Sequence, residues 1–468
     1  MQSIKFVILL TLLLSSRVCT AQNKVAQVFL TSGDQKHLVE RQPPLPFHTR
    51  ERVQPAYQGR TVTVDASKKY QTIDGFGYCL TDGSARLISS LQMEDRKALL
   101  QELFGNKPGQ LAIRYLRISI GASDLSDSVY SYDDMPESMT DIQLEHFSID
   151  KANIHLIPLL KEIRTIQPSI KILASPWSAP SWMKSNDATK GGRLLPRYYE
   201  AYAHYFVRYL NAMLKAGIPI DAITIQNEPL NPNNNPSMYM SAEAELAFIK
   251  NYLGPVFKSN AIKTKIQIYD HNANRPDYPM TILADSVAAG FVDGSAFHLY
   301  EGEITALSRV HDSYPDKNIY FTEQYTPSGG SFKGDFLWHT QQLIIGAVRN
   351  WSRNVIEWNL AASPELGPHT RGGCTTCLGA LTIEKKVISR NPSYYIIAQI
   401  SGFVPAGSVR IASNPLEQLP NVCFLTPGGQ KVCLILNTTE QPQTVTLNDQ
   451  QQTAAINIPP VSTVTLIW

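Results

Sequence analysis

The chain has 468 residues, 43% of them hydrophobic and 18% charged, with a formal net charge of +2. That length accommodates one large domain plus a smaller one and a sizeable core, and the composition excludes a wholly disordered chain. So even a charge balance gives no reason to expect nucleic acid or an acidic membrane as partner.

Residues 6–14 form an apolar run preceded only by the charge of Lys5, and Cys19-Thr20-Ala21 offers a small-residue cleavage site before Gln22. This is the pattern of an export signal over 1–21, too short to span a bilayer. Arg17-Val18 ahead of Cys19 makes a poor lipoprotein site, so the expected product is a soluble exported protein: secreted, periplasmic or at the cell surface. Residues 22–70 lack helical periodicity, are rich in Gln and Pro, and close on the strand-like Thr61-Val62-Thr63-Val64.

Eight short apolar runs follow, at 73–77, 115–121, 171–177, 222–228, 265–271, 295–300, 318–323 and 355–359. Short and almost continuously apolar strands are what a parallel sheet buried on both faces requires. Helical patterns fall between them at 93–103, 153–166, 196–216, 242–253 and 336–350. Strand and helix alternating in this way predict a (β/α)8 TIM barrel over 71–400, with right-handed parallel crossovers. After 400 the pattern changes to short β-type runs separated by turn signals such as Pro427-Gly428-Gly429. Residues 401–468 therefore read as a small antiparallel β side domain, joined by the N-terminal strand from 22–70.

In a barrel of this kind the C-terminal strand ends point at one shared pocket. The polar residues at or just past those ends are Asp124, Trp177, Asn227, Glu228, His298, Tyr300, Glu323 and Trp358. Glu228 and Glu323 fall on strands 4 and 7, across the mouth from each other. A carboxylate is costly to bury unless it is paired or used. Two facing carboxylates are the minimum equipment for hydrolysing a glycosidic bond, one donating a proton to the leaving oxygen and the other ionised. The structural alternative makes one of them a salt-bridge partner of Arg114 or Arg117. A dinucleotide site at Gly75-Phe76-Gly77 fails, because Leu80 stands where G-x-G-x-x-G needs its last small residue.

Without Cys19 the cysteines are Cys79, Cys374, Cys377, Cys423 and Cys433. Cys423 and Cys433 flank the Pro-Gly-Gly turn symmetrically, which suggests a cross-strand bridge in an exported protein. Cys374-Thr-Thr-Cys377 reads as a small-loop disulfide, a redox motif or half a zinc site. No second CxxC or His-rich partner supports zinc, and a Gly-rich loop late in the chain is the wrong place for a redox motif. The odd count leaves at least one free thiol, best placed at Cys79.

Longer motifs add a family resemblance. They are Asp74-Gly75-Phe76-Gly77 with Thr81-Asp82, and Leu116-Arg117-Ile118 with Ala122-Ser123-Asp124-Leu125-Ser126. Ala174-Ser175-Pro176-Trp177-Ser178-Ala179-Pro180-Ser181-Trp182-Met183-Lys184 and Gln226-Asn227-Glu228-Pro229 follow, then His298-Leu299-Tyr300, Thr322-Glu323 and Trp358-Asn359-Leu360-Ala361. Last comes Phe403-Val404-Pro405-Ala406-Gly407-Ser408. From about 70 to 468 the chain resembles glycoside hydrolase family 30, the family of lysosomal glucosylceramidase and β-1,6-glucanases. The resemblance implies a retaining, cofactor-free and metal-free enzyme acting on a β-glucoside, either an oligo- or polysaccharide or a glycolipid. It implies Glu228 as acid/base and Glu323 as nucleophile. Asp124, Trp177, Asn227, His298, Tyr300 and Trp358 become substrate-binding residues, and Arg117 supports the nucleophile. A non-catalytic carbohydrate-binding barrel would require loss of one Glu, and both are present. The chain departs from the glucosylceramidase pattern at Leu299, Tyr325, Glu357 and the loop 372–377, all around the aglycone entrance, which tilts the expected substrate from lipid toward β-1,6-glucan.

Overall fold

The computed structural model describes residues 24–49 and 60–468; the expected export signal lies outside them. Among the described residues no helix is long and apolar enough to cross a membrane. The eight expected strands form one parallel sheet: Gly75–Cys79, Tyr115–Ser119, Lys171–Ser175, Ala222–Thr224, Lys265–Ala273, Val292–Gly302, Asn318–Glu323 and Asn354–Asn359, called barrel strands 1 to 8. Ladders run continuously from strand 7 back to strand 1 and on to strand 8. The seam between strands 7 and 8 is held more sparsely, by the Ile319–Ser352 bridge and by the Phe321 N–H donating to Oδ1 of Asn354 at 2.9 Å. The barrel is therefore nearly closed.

Helices follow the strands as expected, with shifts that local chemistry explains. The helix anticipated from 336 starts earlier, at Phe332–His339, because the Ser331 hydroxyl accepts the Gly334 N–H as an N-cap. It continues as a widened π segment, Thr340–Ala347. The helix Ala242–Phe248 widens likewise over Ile249–Leu253, just before Pro255, which has no N–H to donate to a regular turn. Gly77 is dictated by packing: a Cβ there would stand 1.8 Å from the Tyr115 carbonyl oxygen of the adjacent strand. The Asp74 carboxylate beside it accepts from Lys171 at 2.7 Å and Arg353 at 3.0 Å, a structural clasp at the start of strand 1.

The β side domain is built from both ends of the chain, as expected, but the N-terminus contributes more than one strand. Val25–Ser32, Glu40–Pro46, His48–Thr49 and Thr61–Thr72 join six strands between Val409 and Ile467 in a 10-stranded sheet. It is antiparallel except where Thr61–Thr72 runs parallel to Gln443–Asp449. The strand Lys431–Asn437 is buried on both faces. Val432, Leu434 and Leu436 join the barrel core together with Val422 and Phe424. Cys433 and Ile435 point the other way, into a second core with Val28, Leu30, Val464 and Leu466. Gln399, on the last barrel helix Pro392–Ser401, accepts from Thr31 at 2.6 Å and donates to Thr465 at 3.0 Å, pinning both chain ends to the barrel.

The cysteine expectations are corrected in one place. Cys374 and Cys377 are disulfide-bonded, which selects the small-loop bridge. Cys79 is free, but so are Cys423 and Cys433, although they are direct register partners. The ladder already fixes those two strands, and in the apolar sandwich core the two side chains pack as small hydrophobic groups.

One layer serving two cores makes a prediction. Leu434→Ala should cost about 2–5 kcal/mol of stability, typical of a buried Leu truncation, read as a fall in the urea midpoint. Removing 405–468 strips an entire barrel face and should yield insoluble protein; a soluble, active truncation would contradict the shared layer.

Candidate active site

At the C-terminal mouth of the barrel lies a cavity of about 670 Å³. Its wall includes Asp124, Trp177, Glu228, Tyr300, Glu323 and Trp358, six of the residues singled out from the sequence. The other three, Arg117, Asn227 and His298, stand behind that wall: Arg117 and His298 are fully buried and Asn227 is nearly so. One carboxylate oxygen from each of Glu228 and Glu323, together with a ring nitrogen of His298, lie within 4.8 Å of one another.

Arg117, on barrel strand 2, organises the floor. Its guanidinium donates to Oε2 of Glu323 at 2.6 Å, Oδ2 of Asp270 at 2.7 Å, Oδ1 of Asn227 at 2.8 Å and Oγ of Ser175 at 3.2 Å. Glu323 is thus an ion-pair partner of Arg117 while it also lines the cavity. With the Asn227 oxygen occupied, that residue's NH2 is left as a donor. Above the guanidinium stand Trp177, at 4.9 Å from it, and Trp358, at 5.9 Å, their rings 5.4 Å apart. Nε1 of Trp177 is buried without a hydrogen-bond partner.

Glu323 also accepts from the Tyr300 hydroxyl at 3.0 Å. Burial pushes this carboxyl above its ordinary range; Glu228 and Asp270 add to the push, and His298 and Arg117 oppose it. Glu228 follows barrel strand 4 with φ +45, a left-handed backbone that a non-glycine residue adopts only when its surroundings impose it. Hydrogen bonds hold it there, from the Asn227 N–H to the Pro176 carbonyl at 2.7 Å and from the Glu228 N–H to the Asp270 carbonyl at 3.0 Å. Oε2 of Glu228 accepts from the side-chain amides of Asn231 at 2.8 Å and Asn234 at 3.1 Å. Burial disfavours its ionised form, but the His298 hydrogen bond and charge outweigh burial, with help from His271 and Asn231, and hold Glu228 at about 2.

His298, expected at the sugar, instead lies among the acids. Nε2 faces Oδ1 of Asp270 at 3.1 Å, and Nδ1 faces Oε1 of Glu228 at 3.4 Å and Oε1 of Glu323 at 3.8 Å. Both ring nitrogens meet only acceptors, so the ring is an imidazolium. Burial alone would lower it, but the charge of Glu323 and the bonds to Asp270 and Glu228 raise it to about 9.

Asp270 is the residue that sequence reasoning missed. It accepts from Arg117, His298, Thr224 at 2.7 Å and Thr322 at 2.7 Å, and these hold it well below the carboxylate range despite complete burial. A bulge aims it inward: Tyr269 and Asp270 have φ of 76 and 54. Glu245 braces the bulge by accepting from the Tyr269 N–H at 3.3 Å and the Tyr278 hydroxyl at 2.7 Å. The available signal was the polar ending Asp270-His271 of the fifth apolar run.

Asp124 closes the opposite wall. The stapled loop reaches it, with the Thr370 N–H donating to its carbonyl at 2.8 Å and the Cys374 N–H to Oδ2 at 3.3 Å. Burial, with Glu323 and Glu228 acting in the same direction, pushes Asp124 up to about 7. The cavity is also lined by Asn231, Asn233, Asn234, Asn272, Asn274, Arg275 and Glu301, with Leu230, Tyr325 and the Cys374–Cys377 bridge among them. Hydroxyl-directed groups prevail there over apolar ones. The long motif ending in Lys184 serves the scaffold: its ammonium donates to Ser178 Oγ at 2.8 Å and to the carbonyls of Thr189 at 3.0 Å and Ser237 at 2.8 Å, tying the loops after strands 3 and 4.

Comparison with known proteins agrees with this geometry. The chain is 35% identical over 405 residues to the endo-1,6-β-D-glucanase neg1 of Aspergillus fumigatus, covering 81% of each. It is 28% identical over 421 residues to the lysosomal acid glucosylceramidase of Mus musculus, covering 84% of this chain and 80% of that one. Among solved structures, the endo-β1,6-glucanase BT3312 superposes with a TM-score of 0.86 at 33% identity, covering 95% of this chain and 99% of the other. SrfJ from Salmonella typhimurium gives 0.88 at 26% identity over the same shares. Residues 73–404 match the family model of the glycosyl hydrolase family 30 TIM-barrel domain and residues 407–466 that of its beta sandwich domain, so the chain, an O-glycosyl hydrolase, belongs to glycosyl hydrolase family 30.

Proposed function

We propose that this enzyme is an exported retaining hydrolase of β-1,6-glucan, with Glu323 as nucleophile and Glu228 as acid/base. The observation that supports the mechanism is the close approach of the two carboxylates, one oxygen of each lying within 4.8 Å of one of the other's. Retaining enzymes hold their carboxyl groups about 5–5.5 Å apart, whereas inverting ones leave about 6.5–9.5 Å for a water. Glu323 attacks the anomeric carbon, and the glycosidic bond breaks as the leaving oxygen takes a proton from Glu228. Water, deprotonated by Glu228, then releases glucose from the glycosyl-enzyme. Arg117 and Tyr300 orient Glu323 and bond its ionised form. The proton for the first step is stored nearby: His298 carries it 3.4 Å from Glu228, and arrival of the leaving oxygen draws it across. Trp177 and Trp358 supply apolar faces, and Asp124 and the Asn227 amide meet hydroxyls.

The substrate reading rests on the polar rim together with the named β-1,6-glucanase relatives. A lipid aglycone needs a broad exposed apolar border beside the pocket; here amide and charged side chains outnumber the apolar Leu230 and Tyr325 in the cavity wall. Export through a leader at 1–21 belongs to the same reading, since a polymer of this kind is met outside the cell.

Four outcomes follow. Glu323→Gln should abolish turnover of every substrate, because no glycosyl-enzyme can form. Glu228→Gln should lower rates about 10²–10⁴-fold for poor leaving groups, spare activated aryl glucosides in the first step, and respond to added azide. Equal losses in both variants without azide rescue would contradict the assignment. His298→Gln removes a cation facing both acids, so both pKa values rise. The acid limb of the kcat/KM pH profile, set by Glu323, should then move to higher pH by about 1 unit, whereas the alkaline limb, set in the wild type by loss of the His298 proton, should move to lower pH; a stationary profile or a rising alkaline limb would count against the imidazolium. Finally, kcat/KM on β-1,6-glucan should exceed that on glucosylceramide in detergent, and a tenfold preference for the lipid reverses the substrate choice.

A further inference from the structure

Tyr300 and Tyr325, whose ring centroids are 5.4 Å apart, line the active-site cavity and also a second one. This neighbour has a volume of about 290 Å³ and is walled by Leu299, Gln324, Pro327, Asp335 and Trp338 as well. Its lining combines features that point to a ligand. Trp338, near the end of the helix Phe332–His339, leaves 38% of its surface exposed, whereas Trp177 and Trp358 in the main cavity are buried. Gln324 is only 7% exposed, and its Oε1 has no hydrogen-bond partner. Buried polar atoms in folded proteins are nearly always partnered, so the amide of this cavity-lining residue has hydrogen-bonding capacity left for a ligand once its side chain turns toward the cavity. The half-buried Asp335 carboxylate is a second acceptor in the same wall, and burial pushes it above the ordinary carboxylate range.

An exposed indole face beside an amide and a carboxylate is the complement of a hexopyranose: C–H groups on the ring face, hydroxyls around its edge. An acyl chain matches it poorly, because it would bury Gln324 and Asp335 without partners. The tyrosine wall shared with the catalytic cavity sets the occupant's origin, since a polymer seated at the bond-cleaving centre has this cavity as its neighbour. We propose that this cavity is a distal subsite for a further glucose unit of the polymer, with Trp338 as its platform and Gln324 and Asp335 as hydroxyl partners. It rests on the glucan reading and extends it: an enzyme gripping the chain away from the cleaved bond acts within polymers and not only on terminal residues.

The test compares wild type, Trp338→Ala, Trp338→Phe and Gln324→Leu on β-1,6-glucan, on its oligomers of increasing length, and on an aryl β-glucoside that reaches no distal site. Trp338→Ala should lower the ratio of kcat/KM on polymer to kcat/KM on aryl glucoside at least tenfold, mainly through KM. Trp338→Phe should restore most of that ratio, and Gln324→Leu should lower it severalfold. The loss should appear only once oligomers are long enough to span both cavities. A ratio within twofold of wild type in Trp338→Ala, or equal losses on both substrates, overturns the subsite. Wild type acting on a β-1,3- or β-1,4-glucan but not on the β-1,6-linked one overturns the linkage alone, and the same ratio on that polymer then decides the subsite. Wild type inactive on every glucan overturns both.

Discussion

Everything at the barrel mouth depends on one buried guanidinium. Arg117 is fully buried, and a cation taken out of water must recover its solvation from the protein. It does so by bonding groups from four other parts of the barrel: Ser175 ending strand 3, Asn227 after strand 4, Asp270 on strand 5 and Glu323 ending strand 7. A single side chain therefore sets the spacing of strand ends that the backbone ladders alone leave adjustable. The two tryptophans above it complete the enclosure, each contributing an aromatic face to the cation.

Four acids, Asp124, Glu228, Asp270 and Glu323, share this space with two cations. The geometry sorts them. Asp270 is matched from both sides and stays ionised. Asp124 accepts from neither cation and is raised to about 7 by burial. Glu228 and Glu323 lie between, bracketing the imidazolium. Replacing His298 with any neutral group would change both facing carboxylates at once, so the three act as one ionising unit.

Much of this was legible from residue order. Strand ends in a parallel barrel converge by topology, so Glu228 and Glu323 followed from counting apolar runs, and the aromatic and acidic endings from the same pattern. Asp270 did not, because a left-handed bulge at Tyr269 and Asp270 changes which side chain faces inward, and strand periodicity assumes no bulge. His298 was legible as a site residue but not as a partner of the acids, since that depends on Asp270. The Cys423–Cys433 pairing was read correctly as a register and wrongly as a bond. The N-terminal strands were under-read because Glu40–Pro46 carries prolines that local rules assign to loops, yet an edge strand tolerates them.

The sheet that joins both ends of the chain has a kinetic consequence. Gln27 pairs with Ile467, and Lys24 bonds Asp449 across 425 positions of sequence. A ribosome delivers Val25–Ser32 first and its partner Ser462–Ile467 last, so the earliest strand waits through synthesis of the whole barrel with its edge unpaired. Contacts so distant in sequence make assembly slow relative to helix and hairpin formation. The waiting edge is short and bordered by the Pro-rich strand Glu40–Pro46, which pairs with it locally and shields one side until the C-terminus arrives.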